Sequence, residues 1–216
     1  MSDIVDQVNQ TQREVGTGRI PAGEGHTVLL RRHYAADPED VWDACTDADR
    51  IGRWFLPITG DLRLGGHYQL QGNAGGTILR CEPPQLLTVT WVFGDDPTEE
   101  DVTEVEVRLT PAPEGGTLFE LRHTAVVDEL RWAQYGPGAV GVGWDLTVIG
   151  LHLHLSGQVI EDPAAWESSP EARELAAASS LAWGAAFQAS GATAEEAAIA
   201  AENTTAFYAP DSDTTP

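Results

Sequence analysis

A chain of 216 residues can bury roughly 70 % of its unfolded surface, enough for one sizeable core. Its 34 acidic residues face 12 basic ones, all of them arginine, and the net charge is -22. That balance argues against binding DNA, RNA or an anionic membrane, because a phosphate surface needs clustered positive charge; its plain reading is solubility. Cys45 and Cys81 show no CxxC spacing and read as buried free thiols in a reducing compartment. No apolar run approaches the roughly eighteen residues of a membrane span, and the start of the chain lacks a basic-then-apolar signal pattern. The expected location is therefore cytoplasmic.

Residues 1–25 are polar and glycine-containing, and read as a flexible arm with a fraying helical turn near the start. Strand signal begins at His26. Asp37 is an N-cap candidate, Pro38 suits the first helical position, and Glu39 and Asp40 favour the positive end of a helix dipole. A short helix carrying Val41, Trp42 and Cys45 follows. Asp47 caps a second, which turns Ile51, Trp54 and Phe55 inward until Pro57 ends it. About six strands come next, separated by Gly65-Gly66, Gly75-Gly76, Pro83-Pro84 and the acidic turn GDDPTEED. In LLTVTWVF, Leu87, Val89, Trp91 and Phe93 fall on one face. Val105, Val107 and Leu109 alternate likewise in the next strand, and Phe119, Leu121 and His123 in the one after.

From Gly138 to Leu155 the spacing becomes helical, with Val140, Trp144, Val148, Leu151 and Leu155 on one stripe. Its glycine-rich start is either a loop or a helix packed closely against something. Residues 158–216 hold ten acidic side chains and one basic, Arg173. Ser169-Pro170-Glu171 opens one alanine-rich helix there. Thr193-Ala194-Glu195-Glu196, a capping box, opens another that runs to about Tyr208. The division expected is an arm (1–25), a ligand-binding domain (26–157) and an acidic helical extension (158–216). That extension could cover a pocket, cap a sheet edge or mediate homodimerisation.

One strand, a helical pair, a run of antiparallel strands and a closing helix describe an α+β helix-grip fold, a curved sheet around a long helix. The series AADPEDVWDACTD, RWF, LRLGGHYQL, GGTILRCEPPQLLTVTW, TLFELRHTAV and GVGWDLTVIGL resembles the SRPBCC superfamily, whose members include START lipid-transfer domains and the birch-pollen allergen. Within it the resemblance is closest to homologues of the C-terminal domain of the activator of the heat-shock-protein-90 ATPase. It covers about residues 26–155. It implies a pocket between sheet and helix for a lipid, polyketide, hormone or other hydrophobic molecule. It implies no cofactor and no shared catalytic residue.

Trp54, Phe55, Trp91, Phe93 and Trp144 are the aromatics expected around that hollow, with Val148 and Leu151 from the long helix. Each is equally explained as core. His123 should point inward beside Phe119 and Leu121, where an imidazole orients a ligand, acts as general base, or simply pairs within the core. His152 lies near the inner stripe and could face His123, with His154 pointing away and Asp145 at the stripe edge. A His–His–carboxylate metal site is conceivable from these, but no spacing demands it, and none is assigned. The expected function is binding of a hydrophobic small molecule. The rivals are a cyclase or dehydratase using His123 or His152, and a chaperone co-activator acting through protein contact.

Overall fold

The computed structural model describes residues 4–94, 102–158, 160, 165–166 and 168–210. The acidic turn expected after Phe93 and the tail after Pro210 lie outside the described residues. Among the described residues eight antiparallel strands form one curved sheet: β1 (Gln12–Ile20), β2 (Gly23–Tyr34), β3 (Ile58–Gly60), β4 (His67–Leu70), β5 (Gly75–Glu82), β6 (Leu86–Trp91), β7 (Thr103–Pro111) and β8 (Thr117–Ala125). Their order is β1-β2-β8-β7-β6-β5-β4-β3, a meander in which β8 returns to pair with β2. The helices are α1 (Ile4–Asn9), α2 (Pro38–Thr46), α3 (Ala48–Ile51), α4 (Glu129–Tyr135), α5 (Gly138–Leu155), α6 (Pro170–Ala189) and α7 (Ala194–Tyr208).

Register fixes what faces inward. Val28 pairs with His123 across β2–β8, and His123 with Val105 across β8–β7. Val105 in turn pairs with Val89 across β7–β6. These positions share the face gripped by α5, and a one-residue slip would turn every one of them to solvent. The Tyr34 hydroxyl reaches across to donate to the Val148 carbonyl of α5 at 2.8 Å. The local signals at the helix starts hold in detail. Pro38 opens α2, the Asp47 carboxylate accepts from the Arg50 amide at 2.8 Å, and Thr193 and Glu196 complete a reciprocal capping box.

The flexible arm expected over residues 1–25 is corrected. Residues 4–9 form α1, 12–20 form β1 and 23–25 begin β2, and β1 pairs with β2 through nine positions from Gln12↔Arg31 to Ile20↔Gly23. Polar residues and glycines disguise an edge strand, which is held by backbone ladders more than by apolar side chains. Arg13 fastens it. Its guanidinium donates to both Asp145 oxygens of α5, at 3.0 and 2.8 Å, and to the carbonyls of Thr11 and Val8. Asp145 also accepts from Ser179 at 2.5 Å and from the Trp183 indole at 3.0 Å, both on α6. Asp145 is 0 % exposed, on the side of α5 away from the sheet rather than at a stripe edge. Burial raises its pKa, and the Arg13 charge with the other donors pulls the opposite way.

The glycine-rich start of α5 is helix, packed closely. A Cβ on Gly141 would lie 2.3 Å from the Trp183 indole, and one on Gly138 would lie 2.6 Å from Thr204 of α7. α5 is therefore apolar on two faces, one to the sheet and one to α6 and α7. Ala176 and Trp183 belong to the same buried cluster as the sheet core. Among the described residues no helix is long and apolar enough to cross a membrane.

Candidate ligand site between sheet and long helix

A hollow of about 150 Å³ opens between the sheet, the α2–α3 pair and α5. β6 contributes Leu87, Val89 and Trp91, and β7 contributes Val105 and Val107. Phe119 and Leu121 come from β8, Cys45 and Thr46 from the end of α2, Trp54 and Phe55 from the segment after α3, and Ile58 from the start of β3. Trp144 and Thr147 close it from α5. No residue of α6 or α7 takes part, so the C-terminal pair does not cover the opening. Trp91 and Trp144 meet with ring centroids 4.9 Å apart, and Trp54 and Phe55 stack at 5.7 Å.

Of the residues singled out in the sequence, the structure brings Trp54, Phe55, Trp91 and Trp144 to the hollow. Phe93 is corrected: β6 ends at Trp91, only an isolated bridge continues at Val92, and the Phe93 ring is 66 % exposed. Val148 and Leu151 are buried under the sheet without lining the cavity. His152 is half-buried, its pKa lowered by burial and then by Arg32, and it does not face His123 across the hollow. His154 lies against Trp54, ring centroids 6.5 Å apart, rather than pointing away. His123, His152 and Asp145 do not converge; among the described residues no three His, Cys, Asp or Glu side chains could hold a metal. The sequence reading passed over Cys45, Cys81, Tyr68 and Thr147 as lining residues. Alternation on β5 and the inward face of α2 carried that signal for the two thiols.

His123 points inward, 5 % exposed, yet it stands behind the wall. The Trp144 indole N–H donates to its Nδ1 at 3.0 Å. The imidazole proton therefore sits on Nε2, which donates to Thr103 Oγ1 at 2.7 Å. The Thr103 hydroxyl donates onward to the Trp91 carbonyl at 2.7 Å. This directional chain joins the two tryptophans of the wall. Burial lowers the His123 pKa to about 4, so the ring is neutral at pH 7.

Most of the remaining polar tips are also spoken for. The Trp54 indole N–H donates to the Ala44 carbonyl at 2.9 Å and the Tyr68 hydroxyl to the Thr90 carbonyl at 2.8 Å. Thr46 donates to Trp42 O and Thr147 to Gly143 O, each at 2.8 Å. The lining carries no formal charge. Burial pushes the Cys45 thiol up to about 12, and it raises Tyr68 as well. Trp91 Nε1–H is the one aromatic donor of the lining without a protein partner among the described residues.

A family model described as "Activator of Hsp90 ATPase homolog 1-like protein" matches residues 35–155, more than half the chain. The chain belongs to this family. Among solved structures it is similar to CalU16 from Micromonospora echinospora, 39 % identical over 82 % of this chain and 98 % of that one, with a TM-score of 0.67. That coverage extends beyond the 35–155 span, so the likeness takes in part of the added elements. PFC0360w, an HSP90 activator from Plasmodium falciparum, is 23 % identical over 61 % of this chain and 96 % of its own, with a TM-score of 0.52. DynU16, of the dynemicin biosynthetic locus, is 20 % identical over 61 % of this chain and 48 % of its own, at 0.51. Both likenesses are of fold. No curated protein matches the chain. This member of the activator-homologue family has the α+β helix-grip fold of the SRPBCC superfamily.

Proposed function

We propose that the hollow binds a neutral, aromatic small molecule, or the aromatic end of a larger one, and releases it unchanged. The observation that carries this reading is the finished state of the wall. Apart from the weakly polar thiols of Cys45 and Cys81, its polar side chains already donate to backbone carbonyls or to His123, its lining holds no charge, and Trp91 Nε1–H remains to meet a single ligand acceptor. A charged or heavily hydroxylated ligand would leave its own groups unpaired there, at about 1–3 kcal/mol each. Size narrows the class. A dry apolar cavity of 150 Å³ takes about one benzene-sized ring, so a polycyclic ligand would enter by one end and leave the rest at the mouth beside Leu62.

The histidine that acid–base catalysis would call on stands behind the wall. His123 has both ring nitrogens engaged behind Trp144, and Cys45 is held as the thiol. Binding is thus better supported than a cyclase or dehydratase reaction. The test is fluorescence titration with 1-naphthol. Saturable quenching of tryptophan emission is expected, with Trp91→Ala weakening it about tenfold and with 1-naphthoate, the charged analogue, binding at least tenfold less well. No saturable binding across a panel of neutral aromatics, or tighter binding of the carboxylate, overturns the reading.

A further inference from the structure

The opposite face of the sheet carries a second concavity, of about 430 Å³, walled by the β1–β2 hairpin and floored by β8, β7 and β6. We propose that this outer trough is a binding site for a small polyhydroxylated molecule bearing a basic amine, held through Glu104 and the hydroxyls of Thr27, Thr88 and Thr124.

The pleat places these groups together. Gly16 of β1 pairs with Thr27 of β2, Thr27 with Thr124 of β8, and Thr124 with Glu104 of β7, so the four form one outward row. Thr88 of β6 stands in the next row, opposite Glu106. β1 can lie close because it carries glycine where its side chains would enter the trough. A Cβ on Gly16 would lie 3.2 Å from Thr27 Oγ1, and one on Gly18 would lie 2.8 Å from Thr27 and 3.4 Å from Thr124 Oγ1. The two hydroxyls are thus turned toward the cleft under the hairpin.

What marks the trough as a site is unspent hydrogen bonding. Thr88 is 7 % exposed, and its Oγ1 is buried with no partner. Among the described residues neither Thr27 nor Thr124 gives its hydroxyl a partner. Buried polar groups are paired in the great majority of cases, so the unpaired Thr88 Oγ1 points to an absent occupant, and the Thr27 and Thr124 hydroxyls, open to the trough, are free to bond the same occupant. Glu104 is half-buried and makes no ion pair among the described residues, whereas Glu106 takes Arg108 at 3.2 Å and Glu14 takes Arg31. Burial and the neighbouring Glu106 both raise the Glu104 pKa, a cost that a bound ammonium removes. Arg122 sits directly across from Glu106 and is exposed. Arg19 and Arg122 stand in the trough against Glu14, Glu104 and Glu106, and the chain as a whole carries -22. A ligand that donates from an ammonium and exchanges hydrogen bonds with hydroxyls satisfies the whole set; a neutral hydrocarbon satisfies none. The volume suits one or two sugar-sized rings.

The experiment is a backbone-amide NMR titration of the intact protein with glucosamine, with glucose, N-acetylglucosamine and spermidine in parallel. Glucosamine is expected to shift the amides of residues 27, 88, 104 and 124 saturably. Glucose and N-acetylglucosamine should bind at least tenfold more weakly. Glu104→Gln should weaken glucosamine at least tenfold, while Glu195→Gln, an equal change of charge on α7, leaves it within twofold. Three outcomes overturn the proposal: no saturable shift at these amides with any of the amines, equal losses in the two variants, which means diffuse attraction to an acidic surface, or equal binding of glucose, which means that the amine is not read. Because the trough and the hollow lie on opposite faces, none of these results depends on the naphthol titration.

Discussion

His123 is where residue chemistry is most exposed to test. Its folded pKa of about 4 lies below the ordinary 6.5 because burial penalises the imidazolium, and a charged ring could no longer accept from the Trp144 indole. The unfolded chain binds a proton there between those two values while the folded chain does not. Stability is therefore whole above pH 6.5 and is lost progressively down to about pH 4, by roughly 3 kcal/mol in all. His26, His152 and His154 are lowered too and add slope of the same sign. The measurement is thus a difference. Urea unfolding of the wild type and of His123→Gln from pH 7 to pH 4 should show a flatter acid loss in the variant. Parallel slopes would mean that His123 does not titrate as the burial requires. The same variant separates wall from ligand contact. Affinity for 1-naphthol should change less than about threefold, because the ring stands behind Trp144; a tenfold loss would place the imidazole in direct contact with ligand.

At the scale of elements, α5 is held from behind as firmly as from the front. Gly141→Ala pits two effects against each other. Alanine favours the helix by about 1 kcal/mol, but its Cβ would sit 2.3 Å from the Trp183 indole, which is fully buried and donates to Asp145. Relieving that overlap costs about 1–3 kcal/mol of packing and disturbs a buried hydrogen bond besides. Net destabilisation of about 1–3 kcal/mol is expected, read as a lower melting temperature; a more stable variant would show that α6 yields freely. Asp145→Ala should cost more, about 3–5 kcal/mol, because it leaves the Arg13 guanidinium buried without its carboxylate.

These elements also show where the sequence was readable. Strict alternation on β6, β7 and β8 gave Trp91, Val105, Phe119, Leu121 and His123 their faces, because one side of each strand is core and the other is wet. The caps of α6 and α7 are local chemistry and were legible for that reason. β1 was not, since an edge strand carrying Gly16 and Gly18 has no apolar stripe, and its anchor, Arg13 on Asp145, spans 132 positions of sequence. Phe93 failed for a related reason: alternation persists in the letters after the ladder has ended. The finished hydrogen bonding of the hollow, and the unfinished bonding of the outer trough, depend on pairs no periodicity announces.

For the molecule as a whole the governing quantity is the excess of 34 acids over 12 arginines. Ion pairs offset little of it. Arg63 with Asp61 and Arg80 with Glu82 involve largely exposed groups, and Arg50, itself part-buried, meets the exposed carboxylates of Asp40 and Asp43; pairs at the surface contribute about 0–1 kcal/mol. The buried pair of Arg13 and Asp145 lies beyond the reach of dissolved ions. Net repulsion among surface carboxylates should therefore outweigh attraction, and screening it should stabilise the fold. Raising sodium chloride from about 20 mM to about 500 mM shortens the Debye length from roughly 20 Å to roughly 4 Å. A rise of several degrees in melting temperature at pH 7 is expected over that range, and most of it should come at the low-salt end, where screening changes fastest. A fall would mean that the surface pairs are worth more than their exposure suggests. The same field bears on nucleic acid: at physiological salt no gel shift of DNA or RNA is expected at micromolar protein, and a salt-sensitive shift would require a basic cluster that the twelve arginines, most of them facing carboxylates, do not supply.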